Sequence, residues 1–278
     1  MSPLGVRVRE LAGALASVIF PAPCRICDRP LENASRIPFC PTCIAAVAPY
    51  AGPMCQRCGR PIMSFAGTSA VRIAPADSQG VAPLLCGVCR RGLYDFDFAR
   101  SSAPYTPTVA RAIVLLKYEE LAPLGRWFAQ HLVQVARAYP KEYAADVVVP
   151  VPLHSARLRE RGYNQAELIA RPMARALGLP CRSYLLVRTR PRPDKLTLTL
   201  RERWRSVRGA YAIRQGARVD NLRVLLVDDV LTTGATLDAC SRALRRDGAS
   251  YVAALTVARA VPRGEASYME RLAREPNA

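Results

Sequence analysis

The stretch Leu222–Thr236, LRVLLVDDVLTTGAT, constrains the fold of this chain more than any other. Four apolar residues, Val224, Leu225, Leu226 and Val227, run into two adjacent acids, Asp228 and Asp229, and a Thr-Thr-Gly-Ala-Thr loop follows two residues later. A short, nearly unbroken apolar run is what a strand covered on both faces by helices looks like, so the sequence predicts an α/β fold with a mostly parallel sheet. In open parallel sheets, ligands sit at the carboxyl ends of such strands, which is where the two acids fall. Thr232, Thr233 and Thr236 supply hydroxyls, Gly234 allows close backbone approach, and ATLDACSRALRRDG, from Ala235, starts a helix whose unpaired N–H groups make a phosphate seat. Acids buried at a strand tip need partners, and one turn from a phosphate those partners are ribose hydroxyls. The expected ligand is a sugar phosphate.

A second core strand, Asp146–Pro152, leads into LHSARLRERGYNQAELIARPMARALG, read as a basic loop entering a helix. Arg157, Arg159 and Arg161 offer fixed cations for a diphosphate there. The net charge of +18 is concentrated: residues 157–208 hold 14 Lys and Arg against 4 acids, a net +10. Such a field draws polyanions, whether a diphosphate or a nucleic acid backbone, although a solvated Arg-rich surface has the same composition. Val187–Arg208 is expected to form a hood beside the sheet. Arg201, Arg205 and Arg208 form a basic helix face there, the candidate for nucleic acid, with Trp204 and Tyr163 as stacking groups.

Eight of the ten cysteines form four Cys-x-x-Cys pairs, separated within the first two pairs by 12 residues and within the last two by 27. Such pairs in a reducing compartment are metal knuckles. The reading is two structural Zn2+ sites, Cys24, Cys27, Cys40 and Cys43, then Cys55, Cys58, Cys86 and Cys89; an interleaved cross-brace is the alternative. Few large apolar side chains lie among residues 24–92, so metal binding must replace a core there. A closed four-sulfur site keeps no open position for catalysis.

The N-terminal residues have two arginines before an apolar stretch, but Glu10 interrupts it and prolines 21 and 23 spoil a cleavage site, so an amphipathic helix and a cytoplasmic location are expected. No window reaches the roughly 18 apolar residues of a membrane span. Residues 1–23 are then an N-terminal helix, 24–92 the zinc module, 93–262 the sheet domain and 263–278 a flexible tail. Within the sheet domain, Tyr94, Phe96 and Phe98 are expected on one face of a strand, helices should run from Pro107 to about Lys117 and onward from Pro123, and SYVAALTVARAV supplies a further strand. His131 is read as structural, and Met63–Pro83 as a loose loop.

The Asp228 to Thr236 pattern resembles the phosphoribosyl diphosphate (PRPP) motif of type I phosphoribosyltransferases. With the cysteine module, Leu116-Lys117-Tyr118, the strand Val147–Pro152, Arg157 and Arg161-Gly162-Tyr163-Asn164-Gln165, nearly the whole chain resembles the ComF/GntX (ComFC-like) family. That resemblance implies a double zinc ribbon fused to a type I phosphoribosyltransferase-like domain. It implies PRPP with Mg2+ as ligand, the 5-phosphate on Thr232, Thr233, Gly234, Ala235 and Thr236, and Asp228 and Asp229 at the reacting sugar. Lys117, Arg157, Arg161, Gly162, Asn164 and Gln165 fall on the diphosphate and substrate side. It further implies a role in natural competence and DNA uptake, with single-stranded DNA and competence helicase machinery as partners. The alternative is a non-catalytic protein that handles single-stranded DNA and carries a PRPP regulatory pocket. Lys195 and Ser206 stand where relatives commonly have Gln and Asn, and Glu119 and Glu120 follow Tyr118 without the usual glycine.

Overall fold

The computed structural model describes residues 22–31, 36–62, 83–119, 121–191 and 200–260. The expected N-terminal helix, the segment after Met63, Lys195, the tail from 263 and the side chain of Arg201 lie outside the described residues.

Strands β1 (Phe98–Pro104), β2 (Val147–Pro150), β5 (Arg223–Leu231) and β6 (Tyr251–Arg259) form one parallel sheet in the order β1-β6-β5-β2. Two short strands, β3 (Leu186–Arg188) and β4 (Tyr211–Ile213), pair antiparallel beside it. The helices are α1 (Pro41–Ala45), α2 (Gly87–Arg90), α3 (Pro107–Tyr118), α4 (Pro123–Ala138), α5 (Ser155–Arg161), α6 (Gln165–Leu177), α7 (Leu200–Val207) and α8 (Ala235–Arg246).

β5 shows why an unbroken apolar run is required. Leu225 and Val227 point into one core with α3, α4 and α6, while Val224 and Leu226 point into a second core with α8 and the β3–β4 pair. All four are 0% exposed, each worth roughly 2 kcal/mol of transfer from water. α3 begins as the sequence indicates, with Thr106 accepting from the Val109 amide at 3.3 Å and Pro107 in the first turn. α4 and α6 meet at Gly125, where a Cβ would lie 2.6 Å from the Leu168 carbonyl oxygen.

Two expectations are corrected. Residues 94–97 are not strand, and Phe98 turns into the α3–α4 side of the sheet while Tyr94 and Phe96 stack together on the other, 4.5 Å apart. The basic stretch after β2 is a short helix, α5, ended by Gly162 at φ +80° before Asn164 opens α6. Among the described residues no helix is long and apolar enough to cross a membrane.

Candidate functional site

Adjacent strands β2 and β5 send their following helices to opposite faces: α6 packs with α3 and α4, α8 with the β3–β4 pair. Such a divergence makes a crevice of the strands' carboxyl ends, the point where an open sheet takes a ligand. Asp228 and Asp229 stand on its floor, but not as equivalent groups. Asp229 is 6% exposed, and its Oδ2 accepts from Lys117 Nζ at 2.7 Å and from Gln165 Nε2 at 3.0 Å. Asp228 is half-buried, with Oδ1 accepting from the Asp229 amide at 2.8 Å. Burial alone would lower the Lys117 ammonium; the neighbouring Asp229 carboxylate outweighs it and raises the pKa above its ordinary value.

The network extends outward. Arg161 Nη1 donates to Gln165 Oε1, the Arg161 guanidinium lies 4.9 Å from the Tyr118 ring, and Arg157 Nη2 donates to the Tyr118 hydroxyl at 3.3 Å. Lys117, Arg157, Arg161, Gln165 and Asp229 therefore come together from four elements. Asn164 does a different job: it is buried, its Oδ1 caps α6 through the Ala166 amide at 3.0 Å, and its Nδ2 donates to the Val151 carbonyl at 3.1 Å, which fixes α6 to the end of β2. Gly162 supplies the left-handed turn between α5 and α6. Tyr163 donates to the Leu116 carbonyl at 2.6 Å, joining this turn to α3.

Directly after β5, Thr232, Thr233 and Thr236 are half-buried and Gly234 and Ala235 buried at the start of α8. Gly234 is its N-cap at φ +84°, a conformation natural only to glycine. The Tyr94 hydroxyl donates to the Thr233 carbonyl at 2.7 Å, and a Cβ on Gly234 would lie 2.5 Å from the Tyr94 ring. Arg205 and Arg208 are exposed on and beside α7, whereas Trp204 stacks on Tyr94 at 6.0 Å and is committed to packing.

The cysteines gather in sequence order into two sets of four, each with its sulfurs within 4.8 Å of one another. Cys27 and Cys40 are 3.6 Å apart and Cys58 and Cys86 3.7 Å, matching the roughly 3.8 Å edge of a tetrahedron with Zn–S of about 2.3 Å. The four sulfurs of the second set cannot all ionise unaided: the hydrogen bond with Cys58 comes first in pulling Cys55 down to about 6, and Cys58 is pushed up by the same contact. A divalent cation removes that conflict. The two knuckles are copies. Cys24 and Cys55 amides donate to Arg29 and Arg60 carbonyls, both at 2.8 Å, and Asp28 and Gly59 both take positive φ. The repeat is legible in PCRICDRPL and MCQRCGRPI, a signal that spacing alone does not use. A separate cavity of about 260 Å³ lies between the second knuckle, β1 and α4, away from the Asp228–Asp229 tip.

Residues 15–90 match the double zinc ribbon domain family and residues 164–271 the phosphoribosyl transferase domain family. The chain is 29% identical over 235 residues to DNA utilization protein YhgH of Salmonella typhi, spanning 84% of this chain and 94% of that one. It is 30% identical over 172 residues to DNA utilization protein YhgH of Escherichia coli strain K12, spanning 61% and 75%. Competence protein ComFC of Bacillus subtilis strain 168 is 25% identical over 225 residues, spanning 79% and 83%. A double zinc ribbon built onto a phosphoribosyltransferase-type sheet, in a chain with these relatives, makes the protein a member of the ComF/GntX family.

Proposed function

We propose that the crevice between β2 and β5 binds PRPP and serves phosphoribosyl transfer. The observation that carries this reading is the meeting, at one strand tip, of an acid pair, a helix-initiating Thr-rich loop and the cations Lys117, Arg157 and Arg161. The 5-phosphate sits on the amides and hydroxyls of 232–236. Asp228, the more accessible acid, takes the ribose hydroxyls, with Asp229 held behind it by Lys117 and Gln165. Arg157 and Arg161 face the diphosphate. As the bond at C1 breaks, positive charge develops on the sugar, and a fixed carboxylate beside it lowers the barrier. Mg2+ is an ion held by one or two carboxylates plus substrate phosphates, which the acid pair and a bound diphosphate would supply. When bound, Mg2+ offsets the charge of the leaving diphosphate.

The test is calorimetric titration of the zinc-loaded protein with PRPP and Mg2+. Wild type should bind, and the double variant Asp228→Ala, Asp229→Ala should lose roughly 100-fold in affinity, as for the loss of hydrogen bonds to charged groups, while keeping its far-UV spectrum. Equal binding by both overturns the assignment.

A second reading, a single-stranded DNA partner in competence or DNA utilization, draws on the names of the relatives and on a concave surface lined by Arg171, Arg182, Arg214 and Arg218 around Tyr184, which is 64% exposed. Arg205 and Arg208 are further exposed cations. Zinc-ligating thiols fit a reducing cytoplasm.

A further inference from the structure

Arg259, at the end of β6, is 3% exposed, and among the described residues no carboxylate pairs with it. A buried guanidinium without a counter-charge is costly. Its nearest partners supply the explanation. Nη2 lies 4.0 Å from Cys58 Sγ, and Nη1 lies 3.5 Å from the Leu231 carbonyl, the residue immediately before the 232–236 loop. With zinc bound, four thiolates carry a net charge of about −2, and Arg259 is its neighbour inside the protein. An independent route leaves the same knuckle. Arg57, between Cys55 and Cys58, donates from Nη2 to the Tyr94 carbonyl at 2.8 Å and to the Phe96 carbonyl at 2.7 Å. The Tyr94 hydroxyl in turn donates to the Thr233 carbonyl at 2.7 Å, with the ring against Gly234 and Trp204.

We propose that Arg259 and Tyr94 are positioning residues through which the second four-cysteine zinc site holds the loop of residues 232–236 in its anion-binding shape. One strut reaches the loop's entry at Leu231, the other its middle at Thr233. Metal occupancy at Cys55, Cys58, Cys86 and Cys89 thereby sets how well the loop's amides are arrayed. The anion-binding half rests on the reading of the crevice above; the bracing half does not.

The test uses the full zinc-loaded chain. Tyr94→Phe removes the hydroxyl and keeps the ring stack; Arg259→Gln removes the charge. In both, amide hydrogen exchange of peptides covering 231–236 should quicken about tenfold, the effect of one lost hydrogen bond on local opening, while peptides of α4 keep their rates. In the Co2+-substituted protein, the thiolate-to-metal charge-transfer band of the second site should move to longer wavelength in Arg259→Gln, since a donor to sulfur is lost, and stay in place in Tyr94→Phe. Arg259→Lys, which restores charge and a donor, should recover part of that shift. Unchanged loop exchange in both variants overturns the bracing, and an unchanged cobalt band overturns the role of Arg259. If Arg259→Gln does not fold, Tyr94→Phe and Arg57→Gln carry the exchange test by the second strut. PRPP titration separates the two readings: both variants should bind about tenfold more weakly than wild type, whereas a wild type that does not bind removes the PRPP assignment and leaves exchange and cobalt spectra to decide the bracing.

Discussion

Lys117 shows how single residues set the charge of the crevice. Its side chain is 16% exposed and that of Asp229 8%, so neither charge is well solvated without the other. Lys117→Met should therefore destabilise the protein by about 3 kcal/mol near neutral pH, the cost of removing the charged partner of a buried carboxylate, read from the urea midpoint. The pH dependence has a definite sign. Because the folded-state pKa lies above the ordinary 10.5, the contribution is present in full below the unfolded-state value and is lost as pH rises through the folded one. The gap between wild type and Lys117→Met should then be constant from about pH 7 to pH 9 and narrow above roughly pH 10.5. A gap that persists unchanged into strong alkali would assign the loss to packing rather than charge. Gly234 is a second sensitive position: Gly234→Ala meets both the positive φ and the Tyr94 ring, and should cost at least about 1–2 kcal/mol by the same measurement.

At the scale of elements, the contact of α4 with α6 sets two tendencies against each other. Alanine is favoured over glycine inside a helix by up to about 1 kcal/mol, yet at Gly125 the added methyl would sit 2.6 Å from a backbone oxygen of α6, and forcing atoms into a packed contact costs about 1–3 kcal/mol. Gly125→Ala should be destabilising in chemical denaturation; a stabilised variant would mean that α6 can step away from α4. Elements with strong local signals were legible in the sequence. β5 declares itself by apolar residues on both faces, α8 by the loop and glycine before it, α3 by its Thr-Pro start. α5 was not legible, because none of its seven residues is buried and an exposed, Arg-rich helix has no apolar stripe. Tyr94 and Phe96 were separable from Phe98 only by knowing where β1 begins. The long-range partners left no local mark either: Gln165 and Asp229 are 64 residues apart and Arg259 and Cys58 201. A lone arginine in VARAV looks like any solvated residue at the end of a strand.

For the whole molecule, the informative feature is where the two ribbons attach. Cys24, Cys40 and Cys43 pack into the core with α3 and α4, while Cys55, Cys58, Cys86 and Cys89 pack into the core with α8 on the other face of the sheet. Between them the chain passes the outer strand β1, where the Ala99 amide donates to the Arg57 carbonyl at 2.8 Å, so the module also covers a sheet edge that would otherwise invite pairing with another chain. The zinc module thus shares its apolar contacts with both layers of the sheet domain and has little core of its own. Calorimetric unfolding of the zinc-loaded chain should therefore give one transition, with calorimetric and van't Hoff enthalpies in a ratio of about 1, and a strong chelator should lower that single transition as a whole because metal binding energy is folding energy here. Two resolved transitions, only the lower of them moved by chelator, would mean that the ribbons fold apart from the sheet and that their contacts with its two cores contribute little.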